Sequence, residues 1–195
     1  PIVSLFKHRE LLWQFLLRNV SSRHRGSVLG ALWLVINPLL MLGLYVFAFG
    51  IVFGGRFTDS PDESTLEYAL GIFLGLNVLG LISGTIGASP ASIVGQPNFV
   101  KKVVFPLEVL PAAMTGALAY DLLIGFGLCL TGILFLGPGL SLSVLYLPVI
   151  LFPVFLMALG LSWFFSALGV FVRDVSQLGS FLGLALLYAS GVFYS

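Results

Sequence analysis

The sequence predicts an all-α, polytopic membrane protein, and three observations carry that prediction. The chain is 58% hydrophobic and 9% charged, against about 25% charged in soluble domains. Its apolar residues fall in long runs separated by short polar segments, and a run of roughly 20 such residues crosses the hydrocarbon as a helix that satisfies its own backbone. Eight of the nine Lys and Arg residues fall on one side of the resulting topology: Lys7, Arg9, Arg18, Arg23, Arg25, Lys101, Lys102 and Arg173, with Arg56 opposite. That bias places the amino terminus and the basic loops in the cytoplasm. Residues 1–195 then form a single transmembrane domain, an amino-terminal interfacial amphipathic helix followed by five transmembrane helices.

Residues 1–26 hold the interfacial helix. Ile2, Leu5, Phe6, Leu12, Trp13, Leu16 and Val20 alternate at helical spacing with Lys7, Glu10, Gln14, Arg18 and Ser21, so apolar and cationic faces oppose each other as membrane-surface helices require. A solvated helix packed on another domain would show the same pattern. The start is too long for a signal peptide and no small-residue cleavage site follows it. The first span covers 28–53, with a kink expected at Asn37-Pro38 because Pro removes a backbone donor. The segment from Gly54 to Glu67 carries Arg56, Asp59, Asp62, Glu63 and Glu67 and reads as an outside loop.

The second span covers 68–94. Gly71, Gly75, Gly80, Gly84 and Gly87 give it a flat face for close helix contact, either within the chain or between subunits. Loop 95–106 holds adjacent cations, Lys101 and Lys102, bounded by Pro97 and Pro106. Such a loop surfaces in water, where it serves as a handle for a cytoplasmic partner or lies on anionic headgroups. The third span covers 107–136 and the fourth 142–172, joined by the uncharged turn Gly137-Pro138-Gly139. Arg173 and Asp174 form the second cytoplasmic turn, with Asp174 as a cap for the next helix. The fifth span covers 178–195. The chain begins at Pro1 and ends at Ser195, and a sixth span is expected in a missing carboxyl-terminal part.

Several chemistries are excluded. A net charge of +1 without a basic stripe beyond the amino-terminal segment gives no footprint for nucleic acid. One cysteine, Cys129, and two histidines, His8 and His24, make a metal site improbable. No phosphate-cradling Gly-rich loop, zinc-protease or serine-hydrolase motif occurs, so no catalytic residue and no cofactor are expected in this chain.

Two intramembrane features remain. Tyr45, Phe49 and Phe53 recur every fourth residue and form one aromatic stripe on the first span. Such a stripe can stack on sugar rings along a path, although spacing alone favours a packing or lipid-facing surface. Asp121 falls near mid-bilayer in the third span, where an acid is costly and marks a site of function or of hydrogen-bonded packing. No Lys or Arg shares its depth, and Asn77 is a candidate hydrogen-bond partner.

Four stretches resemble one family. Arg23-His24-Arg25-Gly26-Ser27-Val28-Leu29-Gly30-Ala31-Leu32-Trp33, followed by Asn37-Pro38-Leu39, looks like the lead into the first span of ABC-2 type permeases. Phe99-Val100-Lys101-Lys102-Val103-Val104-Phe105-Pro106 resembles their inside loop between spans two and three. Leu159-Gly160 through Ser166, with Val172-Arg173-Asp174-Val175, resembles their fourth span and the following turn. Ala189-Ser190-Gly191-Val192-Phe193-Tyr194 resembles the end of their fifth. The resemblance is closest to exporters of bacterial O-antigen, teichoic acid and capsular polysaccharide. It implies a homodimer in the bacterial inner membrane, served by two separate ATP-binding cassette subunits that hold ATP and Mg. It implies a cargo of lipid-linked glycan such as O-antigen. Phe99, Val100, Lys101, Lys102 and Val103 would then couple the permease to its ATPase. An ABC-2 exporter of a drug or small lipid is the alternative. A proton-coupled secondary transporter using Asp121 fits less well, because one buried acid is not a relay and no inverted repeat is evident.

Overall fold

A computed structural model of the chain describes residues 2–22, 29–48, 65–97, 99, 105–136, 142–172, 174–190 and 192. Among the described residues every regular element is helical. The order is α1 (Ile2–Lys7), α2 (Arg9–Ser22), a 3-10 turn (Gly30–Leu32) leading into α3 (Trp33–Tyr45), α4 (Thr65–Val94) and α5 (Val109–Leu136). A second 3-10 turn (Leu142–Tyr146) then leads into α6 (Leu147–Phe171), and α7 (Val175–Ala189) follows.

Three segments are long and apolar enough to cross a membrane: Tyr68–Val94, Val109–Phe135 and Val144–Phe171. Two more, Trp33–Ala48 and Val175–Leu186, are apolar but shorter than the roughly 20 residues a crossing needs. Residues 49–53, which complete the expected first span, residues 54–64 of the expected outside loop, and most of 191–195, which complete the fifth span, lie outside the described residues. The sequence places the fourth span from Leu142, but the α-helix starts only at Leu147 after the 3-10 turn. Pro148 stands in its first turn, where a missing N–H leaves no bond unmade. Pro38 and Pro153 do lie inside α3 and α6.

Helix α4 is the hub. It packs against α5, α6 and α7, and α3 leans on both α4 and α5. Leu81, Ile82 and Ile86 of α4 meet Leu122 and Phe126 of α5 and Ala158 of α6 in the central apolar cluster. A second cluster joins Leu70 and Phe73 of α4 to Cys129 of α5, with Leu42 and Tyr45 of α3 closing it. A third, near the start of α5, holds Phe15 of α2 with Leu110 and Ala113.

Two glycines set how closely helices approach α4. Gly169 of α6 lies on Pro90, where an added Cβ would sit 2.7 Å from the Pro90 Cα. Gly179 of α7 lies on the backbone at Ile86, where a Cβ would sit 2.8 Å from the carbonyl oxygen. Beside these contacts the Ser89 hydroxyl donates to the Thr85 carbonyl at 2.6 Å and lies 3.0 Å from the Ser162 hydroxyl. Ser162 in turn donates to the Pro111 carbonyl at 3.2 Å. That chain links α4, α6 and α5 through groups wholly removed from solvent.

The glycine face of α4 is divided. Gly84 packs against Leu118 of α5 and Gly75 against Val192, whereas Gly80 and Gly87 face open space. Gly75 and Gly84 are thus spent on contact inside the chain, and Gly80, Gly84 and Gly87 border a cleft.

Backbone cannot yield to a new methyl as a side chain can. Gly169→Ala should lower the thermal midpoint in detergent by an amount equivalent to about 1–3 kcal/mol. Gly160→Ala, where nothing lies within 4 Å, should leave it unchanged or slightly raised. Equal midpoints for the two variants would refute the close approach.

Candidate functional site

Two arrangements place chemistry-bearing side chains together. The first lies where α2 meets the basic loop. Helix α2 turns Leu11, Leu12, Phe15 and Leu16 toward α5 and the loop ends, because these positions fall on one side of a 3.6-residue helix. Leu16 seats on Gly116, where a Cβ would fall 2.7 Å from its Cδ1. The ring of Phe15 stands edge-on to Phe99 at 5.3 Å and to Phe105 at 5.4 Å, and Phe99 and Phe105 are 5.1 Å apart. The Arg18 guanidinium lies 4.4 Å from the Phe15 ring centre and 5.9 Å from that of Phe99, and it donates to Gln96 Oε1 at 2.7 Å. Planar, always charged and weakly hydrated, a guanidinium stacks on rings while its edge donates. Three aromatic rings and one cation thus clasp both ends of the loop to α2.

The single interfacial helix expected over residues 1–26 is two helices, α1 and α2, and its apolar face is divided. Leu12 and Leu16 are spent on intrachain packing, while Phe6, Trp13 and Leu17 remain exposed. Phe99 is half-buried in the clasp, and Pro97 and Phe99 are helical. Val100, Lys101, Lys102 and Val103 lie outside the described residues, as does Arg173. Asp174 precedes α7 but does not cap it. Its backbone is helical (φ −70°, ψ −12°) and its side chain makes no cap hydrogen bond, whereas a capping residue adopts an extended backbone that aims its oxygen at the following N–H groups.

Glu108, at the foot of α5, ties the clasp to α6. Its carbonyl accepts from Trp163 Nε1 at 3.1 Å. The Ser4 hydroxyl holds its carboxyl below the usual carboxylate range, helped by the backbone N–H of Glu108 itself.

The second arrangement is a cleft of about 780 Å³ between α3, α4 and α5. Trp33, Tyr45 and Phe73 supply aromatic walls, and Asn37, Asn77 and Asp121 supply polar groups. Asn77 and Asp121, which the sequence pairs as candidate partners, thus share one cleft with Tyr45 of the aromatic stripe. Asn77 Nδ2 donates to the Phe73 carbonyl at 2.7 Å. Its Oδ1 lies against Gly125, where a Cβ would collide with it. Tyr45 also borders a narrower cleft of about 410 Å³ floored by Gly80, Gly84, Gly87, Gly179 and Gly183. Phe49 and Phe53 lie outside the described residues.

The sequence reading missed Phe15, Arg18, Gln96 and Phe105 as one unit, and Asn37 and Trp33 as walls of the cleft. Asn37 carried a signal, being an amide one turn inside an apolar run. The clasp carried none, since it joins residues some eighty positions apart. Among the described residues no three His, Cys, Asp or Glu side chains gather as a metal ion would require.

A family model described as ABC-2 type transporter matches residues 10–195. The chain is similar to the O-antigen export system permease protein RfbA of Myxococcus xanthus, 27% identical over 190 residues that cover 97% of this chain and 70% of that protein. It is also similar to a Klebsiella pneumoniae protein of the same name, 26% identical over 179 residues that cover 91% of this chain and 66% of that protein. The chain therefore spans about two thirds of the length of these relatives.

The lowered titration of Glu108 makes its contribution depend on pH. A carboxyl whose folded titration is lowered contributes fully above the ordinary carboxylate range, and that contribution is lost as pH falls through the lowered value. Ser4→Ala should flatten the acid limb of a stability-against-pH curve and leave the neutral region nearly unchanged. An unaltered acid limb would remove Ser4 from the account. Phe15→Ala should destabilise by about 3–5 kcal/mol, read as a lowered thermal midpoint.

Proposed function

This chain belongs to the ABC-2 type transporter family, and from that premise we propose that it is the permease subunit of an ATP-driven exporter of lipid-linked polysaccharide such as O-antigen across a bacterial inner membrane. The observation that carries the reading is the family match from residue 10 to residue 195, joined to similarity with permeases named for O-antigen export. The three long apolar helices and two shorter ones make it a multi-pass membrane protein. In this proposal the shorter two are parts of full spans, giving five with the amino terminus in the cytoplasm.

Two copies pair, and two ATP-binding cassette subunits dock on the cytoplasmic face. ATP and Mg reside on those subunits. The loop carrying Phe99 to Val103 receives their motion, and Arg173 and Asp174 flank the same face. The clasp gives the loop a rigid anchor. Phe99 and Phe105 hold its two ends on Phe15, so displacement of the loop carries α2 and the foot of α5 with it. Lys101 and Lys102 make the outward contact to the ATPase. Tyr45, Phe49 and Phe53 line the route taken by the glycan, whose sugar rings stack on aromatic faces without a fixed hydrogen-bond pattern. An exporter of a drug or small lipid would share this fold and differ in cargo. The names of the relatives favour polysaccharide.

Co-expression of the full-length chain with the ATP-binding subunits of its own cell should yield a complex of two permeases and two ATPases. Reversing the charge of Lys101 and Lys102 should lower permease-dependent ATP hydrolysis at least several-fold, and a fully coupled variant would count against the loop. Tyr45→Ala, Phe49→Ala and Phe53→Ala together should reduce glycan at the cell surface at normal expression. Intact export would remove the stripe from the route.

A further inference from the structure

Between Thr85 and Ser92 helix α4 departs from a plain apolar helix. Pro90 has no N–H, so the Ile86 carbonyl one turn earlier loses its helical donor. Ser89 and Ser92 flank the break, and each turns its hydroxyl back onto the helix, to the Thr85 carbonyl at 2.6 Å and to the Ser89 carbonyl at 2.7 Å. Hydroxyls bonded in this way compete with the helical ladder and favour bending, as proline does. The backbone of α7 covers the freed carbonyl. Gly179 lies on it so closely that an added Cβ would sit 2.8 Å from the Ile86 oxygen, a contact of the kind in which a Cα–H faces a carbonyl.

One buried group at this level stays unmatched. The Thr85 hydroxyl is wholly removed from solvent and has no hydrogen-bond partner. An orphaned hydroxyl destabilises the arrangement that contains it, and a valine of the same shape would not carry that cost. Thr85 and Ser89 share one face of α4 a turn apart. Ser89 already reaches Ser162 of α6, so Thr85 is the next hydroxyl of α4 along that contact. The approaches nearest the break, Gly169 at Pro90 and Gly179 at Ile86, are backbone on backbone. Beyond Pro90 the helix runs on to the clasp. The N–H groups of Gly95, Gln96 and Phe99 donate to the carbonyls of Ala91, Ile93 and Gln96 at 2.8, 3.1 and 3.2 Å, and Gln96 and Phe99 are held by Arg18 and Phe15.

We propose that Thr85–Ser92 is a hinge with a second arrangement in which the Thr85 hydroxyl is paired, and that it passes displacement of the clasp to α7 through Gly179. Resting on the exporter reading, the proposal gives motion of the ATPase face a route to α7. The arrangement described here is the resting one, held by the chain from Ser89 through Ser162 to the Pro111 carbonyl. The orphaned hydroxyl narrows the gap between the two arrangements, so a modest input at the clasp shifts their populations.

The test has two arms. In the first, the full-length chain alone in lipid nanodiscs is followed by amide hydrogen exchange. Thr85→Val removes the orphan from the resting arrangement and the bond from the second. It should raise the thermal midpoint and slow exchange by about tenfold, the factor that one orphaned hydroxyl represents, in both Thr85–Val94 and α7, with Leu70–Gly80 unchanged. Thr85→Ser keeps the hydroxyl and should exchange as the parent does. Pro90→Ala returns a donor to the Ile86 carbonyl and leaves the backbone under Gly169 in place. It should slow the same two segments, and it decides the matter should Thr85→Val fail to fold. In the second arm the variants are assembled with the ATP-binding subunits. Thr85→Val and Pro90→Ala should lower permease-dependent ATP hydrolysis several-fold although both are at least as stable as the parent, and Thr85→Ser should retain it. A role in packing alone would not slow hydrolysis in a stabilised variant. A lowered midpoint for Thr85→Val, exchange slowed in neither segment or in α4 without α7, or full hydrolysis in both stabilised variants would each overturn the proposal. The expected exchange pattern in a chain that recruits no ATPase would keep the hinge and sink the exporter reading, whereas unaltered exchange in a chain that still couples to its ATPase would sink the hinge alone.

Discussion

In a membrane the hydrophobic effect does not press helices together, because lipid tails are as apolar as leucine. What remains is close contact and hydrogen bonding, and this bundle depends on how nearly α6 and α7 approach the backbone of α4. Gly169 and Gly179 permit that approach, at Pro90 and at Ile86. The chain from Ser89 through Ser162 to the Pro111 carbonyl then binds α4, α6 and α5 at one level. Pro90 lies inside α4, so the helix meets its neighbour where its own regular bonding is interrupted. Everything else hangs on α4 held in this way, including the tilt of α5 that presents Leu110 and Ala113 to α2.

The clasp at the foot of α5 has a different physical basis. It lies at the proposed water-facing end, where apolar burial does operate, and it uses the large rings of Phe15, Phe99 and Phe105. Arg18 closes it from the polar side through Gln96 and the two ring faces. A loop fastened at both ends to a helix that also packs on a membrane-crossing helix can pass a displacement inward. A loop held only by its own charges on lipid headgroups would absorb it. The same side of the molecule carries Glu108, whose carbonyl accepts from Trp163 of α6, so α2, α5 and α6 meet at the start of α5.

The cleft exists because α3 leans on α4 and α5 without filling the furrow between them. Gly80 contributes to both clefts and has no neighbour within 4 Å of a would-be Cβ. Gly125 leaves room for Asn77 to lie flat against α5. Small residues therefore do two jobs in this chain, close contact at some positions and open space at others, and nothing in a small-xxx-small pattern distinguishes them. The polar residues in the furrow are few, and each carries a desolvation cost that lipid does not relieve.

Composition and the spacing of apolar runs determined the helical class and the location of three membrane-crossing helices, because a backbone in hydrocarbon has no other way to satisfy its hydrogen bonds. The sequence also marked Tyr45, Asn77 and Asp121 individually, since intramembrane polar groups and aromatic stripes stand out in an apolar background. It suggested Asn77 as a partner for Asp121 but could not bring Tyr45 to them, because that meeting depends on the rotation of α3, α4 and α5 about their axes, which is decided by packing at Gly84, Gly125 and Leu118. Nor could it show which part of the amino-terminal apolar face packs on α5 and which part stays exposed, for Leu12, Trp13 and Leu16 have the same helical period whichever neighbour they meet. Asp174 shows the same limit at small scale. Its residue type suits a cap, but the backbone angles set by the turn before it aim its side chain elsewhere. Periodicity is local and survives in one dimension, whereas the pairing of Phe15 with Phe99 and of Asn77 with Gly125 is fixed only when distant segments compete for the same space.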